Sequence, residues 1–146
     1  MEIKRSADAI WQGTLPGGQG QVSTQSGVLK ENAYSYKTRF ENAPGTNPEE
    51  LIAAAQAACF SMALSAGLAG ANLNPQHVAA HVILTMEQKD GGFTITKLRL
   101  EVTGSVPGID DATFQSYAEK AEEGCPIGRL LRPGLEQVEV VAHLEK

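Results

Sequence analysis

Apolar and polar positions along this chain change period several times, and each change marks an element. "AIWQG" and "QGQVSTQSGVL" are short apolar-polar stretches separated by the turn-forming "LPGGQGQ", and "KENA" follows them, so the first third predicts β-strands. "YSYKTRF" alternates, with Tyr34, Tyr36, Thr38 and Phe40 on one face and Ser35, Lys37 and Arg39 on the other. It predicts a strand with Arg39 on its polar side. "ENAPGTN" predicts a loop. From Asn47 the period lengthens. Asn47 suits an N-cap, Pro48 the first helical position, and Glu50 the third residue of a capping box. The helix they open runs to about Gly70 and is apolar nearly all the way round. "HVAAHVILTMEQ" and "FTITKLRLEVTG" flank "KDGG", a hairpin, with Thr94, Thr96, Leu98, Leu100 and Val102 sharing one face. Asp110 or Asp111 caps a further helix ending at Gly124; "CPIGRLLRP" opens a short one at Pro126; "LEQVEVVAHLE" is a last strand. The order βββ–α–ββ–α–α–β predicts an α+β fold and a single domain spanning residues 1–146.

A helix apolar on all faces needs cover on all faces. Its alanines, Ala53, Ala54, Ala57, Ala58, Ala63, Ala66 and Ala69, allow close backbone approach, and one chain of this size has few elements to spare. A second copy in a homodimer would supply the cover. A membrane span is the rival reading. Gln56 inside the helix, Glu49 and Glu50 at its start, and the lack of an aromatic belt or basic flank argue against it.

Composition narrows the classes. Of 146 residues, 42% are hydrophobic, enough for a core, and the net charge of −5 comes with no Lys/Arg cluster, which disfavours nucleic-acid binding. "MEIKRSADAIWQG" has no apolar run behind its cations, so no secretory signal is expected. Two widely spaced cysteines do not make a disulfide scaffold, and a cytoplasmic protein with reduced thiols is expected.

The candidate chemistry lies in those thiols. A free cysteine often packs as a small hydrophobe. Cys125 follows Gly124 and precedes Pro126, at a helix N-terminus where the dipole favours thiolate. Cys59 is in mid-helix and would need an imported cation. Local physics therefore favours Cys125 as nucleophile. Glu50 lies about 13 Å along an ideal helix from Cys59 and on its opposite face, so direct contact is not expected. His77, His81 and His143 lack the ligand count of a zinc site. The serines lack a nucleophile elbow, and "GGQGQ" lacks the context of a phosphate loop.

"TRFENAPGTNPEELIAAAQAACFSMALS" together with "GCPIGRLL" resembles the osmotically inducible protein C family of thiol peroxidases, which shares a superfamily with the organic hydroperoxide resistance proteins. The likeness covers nearly the whole chain. It implies an intertwined α+β homodimer, two long central helices wrapped by sheets from both chains, with two sites at the interface. It also implies that Cys59 is the peroxidatic thiol, Cys125 the resolving thiol, Arg39 the activating cation and Glu50 the carboxylate that holds Arg39. The resemblance thus reverses the local ranking of the thiols by supplying the cation that Cys59 lacks. Gln56, one turn before Cys59, departs from the histidine that relatives often carry there, and Gly128 and Arg129 fall at positions that vary in the family. The implied substrate is a small hydrophobic hydroperoxide and the implied reductant an external dithiol, lipoyl-type or thioredoxin-like, with no metal or organic cofactor. Two rivals use the same fold: a thiol redox sensor, and an apolar-ligand-binding protein with inert cysteines.

Overall fold

The computed structural model describes all 146 residues as two compact units, Met1–Leu51 and Ile52–Lys146. The first is built on an antiparallel sheet of β1 (Ala7–Gln12), β2 (Gln19–Thr24) and β3 (Asn32–Ser35), in that spatial order. Gly20 on β2 lies between two rings: a Cβ there would stand 2.5 Å from Tyr34 and 2.8 Å from Trp11. Its missing side chain lets Trp11 and Tyr34 approach across β2, with ring centroids 5.6 Å apart.

The alternation of "YSYKTRF" does not continue as a strand. β3 stops at Ser35, and Tyr36–Phe40 forms a short helix, α1. The cause is local. Ser35 Oγ accepts from the Thr38 N–H, and Thr38 Oγ1 accepts from the Ser35 N–H at 2.9 Å, a reciprocal capping box. Side-chain bonds to the backbone outcompete the ladder here. Arg39 therefore projects from a helical turn rather than from a strand.

α2 spans Pro48–Gly70, as the sequence predicts. Asn47 Oδ1 accepts from the Glu50 N–H at 2.8 Å, and Asn47 Nδ2 donates to the Thr38 carbonyl at 3.1 Å, which ties the start of α2 to α1. By length and composition α2 could cross a membrane. Here it buries one stripe, Gln56, Phe60, Leu64 and Leu68, at a spacing of four residues. Ala54, Ala55, Ala58, Met62 and Ala66 stay exposed in the single chain.

In the second unit, β4 (His77–Lys89) and β5 (Gly92–Ser105) form the predicted hairpin. Asp90 and Gly91 both take positive φ at its turn, 38° and 87°, which an Asp-Gly pair tolerates. Thr96, Leu98, Leu100 and Val102 are buried on one face of β5; Thr94, assigned to that face, lies beyond the core and is exposed. β6 (Gln137–Leu144) runs parallel to β5, so a crossover is required, and α3 (Asp111–Gly124) and α4 (Pro126–Leu131) provide it. Asp110 caps α3 through the Thr113 N–H at 2.8 Å. Gln115 and Asp111 of α3 bond the free edge of β6: Gln115 donates to Val140 O and accepts from Ala142 N, and Asp111 accepts from Leu144 N, each at 2.7 Å. Those bonds blunt an edge that would otherwise be open to another strand. The core gathers Phe60, Leu64 and Leu68 with Leu98, Leu100 and Phe114.

Candidate active site

The two thiols meet although they are remote in sequence. Cys125 Sγ lies 2.7 Å from Cys59 Sγ. Cys59 is partly exposed and Cys125 is fully buried. Cys125 sits at the joint between two helices. Its N–H closes α3 onto Ala121 O and its carbonyl accepts from Arg129 N–H in α4, both at 2.9 Å. Its extended backbone, φ −62° and ψ 129°, makes the corner, and Pro126 starts α4 where no donor is needed. Gly128 lets α4 fold back tightly: a Cβ there would stand 2.5 Å from the Glu122 carbonyl oxygen.

Burial pushes the Cys125 thiol above its ordinary pKa, the S–H bond to Cys59 adds to this, and the Ile127 and Gly128 N–H groups oppose it without prevailing. The local argument for Cys125 as the readily ionised thiol is therefore corrected. The helix terminus favours thiolate, but burial outweighs it.

Arg39, on the first unit, forks onto a carboxylate. Its Nε lies 3.1 Å and its Nη2 2.8 Å from Oε1 of Glu49. Glu50, which the resemblance assigned to Arg39, is exposed, and its backbone N–H serves the Asn47 cap. The partner of Arg39 is Glu49. Glu49 is only 13% exposed at the side chain, so the pair is partly shielded from water. Phe40 lies under the guanidinium, with its ring centroid 5.2 Å from Arg39 Cζ. Two features were not legible beforehand: Glu49 as the carboxylate, and a buried Glu122 that pairs with Arg132 in the second unit.

Two thiols in contact at a helix joint, in an α+β chain with a long apolar helix, are the candidate chemistry of this chain. Residues 40–138 match the family model described as OsmC-like protein, and the chain belongs to that family. It is 46% identical to the peroxiredoxin OsmC of Escherichia coli K12 over 132 residues, 90% of this chain and 92% of that protein. It is 31% identical to the organic hydroperoxide resistance protein OhrB of Bacillus subtilis over 121 residues, 82% and 87% of the two chains. Among solved structures, an organic hydroperoxide resistance protein from Elizabethkingia anophelis superposes with a TM-score of 0.75 at 26% identity, covering 98% of this chain and all of that one. The α+β fold class is that of this family.

Proposed function

We propose that this protein is a thiol-dependent peroxidase that reduces organic hydroperoxides to alcohols, as part of oxidative and osmotic stress defence. The observation that carries the reading is the 2.7 Å contact of Cys59 and Cys125 in a chain nearly half identical to a peroxiredoxin. In the first step the Cys59 thiolate attacks the terminal peroxide oxygen. The O–O bond breaks, the alkoxide takes a proton and leaves as alcohol, and Cys59 becomes a sulfenic acid. Arg39 is assigned the cationic role, favouring the thiolate and the charge developing on the leaving oxygen, with Glu49 holding its fork. In the second step the Cys125 sulfur displaces hydroxide from Cys59, which leaves as water, and a disulfide forms. An external dithiol of lipoyl or thioredoxin type then reduces it by exchange. No step calls on a metal or an organic cofactor. A cytoplasmic setting, where thiols are kept reduced, suits this cycle.

A homodimer belongs to the same reading. Ala54, Ala58, Met62 and Ala66 of α2 are apolar and uncovered in one chain, and a second copy of α2 would cover them. Sedimentation at micromolar concentration is expected to give twice 15.5 kDa; a monomer would remove the dimer from the proposal.

The test of function is steady-state turnover with tert-butyl or cumene hydroperoxide beside hydrogen peroxide, with lipoyl dithiol and thioredoxin in parallel. Ala55, Ala58 and Met62 make the surface next to Cys59 apolar. Organic substrates should react faster, by roughly fourfold for each methylene buried. Equal rate constants would count against an apolar site. Consumption of one equivalent per site without turnover would favour the redox sensor, and no consumption would favour the ligand-binding protein.

A further inference from the structure

Gln56 is fully buried in the stripe of α2 that Phe60, Leu64 and Leu68 continue. A leucine there would extend the stripe without burying an amide. Instead, Gln56 Oε1 lies 3.7 Å from Cys125 Sγ, as acceptor of its S–H, and Gln56 Nε2 has no hydrogen-bond partner in the chain. A buried donor left unpaired is costly, so a glutamine at this position calls for a reason.

The amide has a fixed sense. Its Nε2 and Oε1 of Glu122 each lie 3.2 Å from the point where a Cβ of Gly128 would stand. Glu122, 1% exposed, is ion-paired to Arg132. The donor end of Gln56 thus faces the carboxylate side, and the acceptor end faces the thiol. Turning the amide over would set two oxygens toward each other and leave the S–H without an oxygen acceptor.

We propose that Gln56 is a positioning residue for the resolving thiol: its Oε1 draws the Cys125 S–H away from Cys59, so that a sulfur lone pair of Cys125 faces the Cys59 sulfenic acid. The inference rests on the peroxidase reading and deepens it. Cys125 has one proton and two acceptors in reach, Cys59 Sγ at 2.7 Å and Gln56 Oε1 at 3.7 Å. While Cys59 is thiolate, its sulfur is the stronger acceptor and takes the S–H bond. Once Cys59 carries the sulfenic oxygen, its sulfur becomes the electrophile, and a proton pointing at it would block attack. Gln56 Oε1 then receives the S–H bond, the S–S bond forms, the Cys59 S–O bond breaks, and the Cys125 proton leaves with the hydroxyl as water. Cys59 was oxidised in the earlier step, so no further oxidant is needed. The Ile127 and Gly128 N–H groups offer only donors to this sulfur, and cannot substitute.

The experiment compares the whole protein with Gln56→Met, Gln56→Leu and Gln56→His in single-turnover quenched flow with cumene hydroperoxide. Sulfenate formation is followed by dimedone trapping, and disulfide closure by mass spectrometry. Methionine and leucine fill the space and remove the unpartnered amide, so both variants should fold, as thermal melts will check. Sulfenate should form at the wild-type rate in all four proteins. Closure should slow by about five- to tenfold in the Met and Leu variants, the scale of one neutral hydrogen bond. It should recover to within about threefold in Gln56→His at pH 8, where a neutral ring nitrogen can accept the S–H. Wild-type closure in Gln56→Met or Gln56→Leu, or equal slowing in the His variant, would overturn the inference while leaving the peroxidase intact. A wild type that forms no sulfenate would overturn the peroxidase reading, and this inference with it.

Discussion

Cys59→Ser is expected to consume no hydroperoxide above the uncatalysed background, whereas Cys125→Ser should still consume one equivalent per site and then stop. The asymmetry follows from burial. Cys59 is partly exposed on α2, but Cys125 is sealed at the α3–α4 corner and its thiol is pushed up by that burial. A buried, protonated thiol is a poor peroxide nucleophile. It is well placed for the second step, which needs only the neighbouring sulfur at 2.7 Å. In Cys125→Ser the sulfenic acid should persist, be trapped by dimedone, and climb to sulfinic acid in excess peroxide. Peroxide-treated wild type should instead yield an intramolecular Cys59–Cys125 disulfide. A dead Cys125→Ser together with a Cys59→Ser that forms one sulfenate per site would invert the roles and restore the helix-terminus argument.

Neighbouring residues in the chain do not report burial by remote elements. Helix bounds, the Asp90–Gly91 hairpin, the Asp110 cap and the Pro126 start all depend on neighbours within a few residues, and each is where the pattern put it. The burial of Cys125 depends on α2 and on the fold-back at Gly128, contacts remote in sequence. The strand predicted across Tyr36–Phe40 gives way to α1 for a different reason. Tyr34, Tyr36, Thr38 and Phe40 satisfy a period of two, yet the Ser35–Thr38 box decides the backbone. Side-chain oxygens three residues apart compete with alternation, and here they prevail. Glu50 as the partner of Arg39 is what the resemblance implies, and its neighbour Glu49 makes the contact. The cap uses the Glu50 backbone, which any residue would provide, while the Glu49 side chain meets Arg39.

The second large effect is expected at the Arg39–Glu49 pair. Arg39→Ala should lower the rate of sulfenate formation by about a hundredfold, the range expected for losing one preorganised charge donor. Folding should change little, because α1 buries no residue and Arg39 is 37% exposed at the side chain. Arg39→Lys should recover only part of the rate, since an ammonium lacks the planar pair of donors, Nε and Nη2, that both reach Oε1 of Glu49. Glu49→Gln should cost at least about tenfold, the scale of a lost charge-assisted hydrogen bond, by freeing the guanidinium to move. Glu50→Gln should stay near wild type, because its carboxylate is exposed and the cap is made through its backbone N–H. Stopped-flow rates of sulfenate formation, measured beside thermal melts of all four variants, check the set. Wild-type rates in Arg39→Ala would remove Arg39 from the mechanism. A Glu50→Gln loss as large as that of Glu49→Gln would return the orienting role to Glu50, and would mean that the working state of the guanidinium is not the fork onto Glu49.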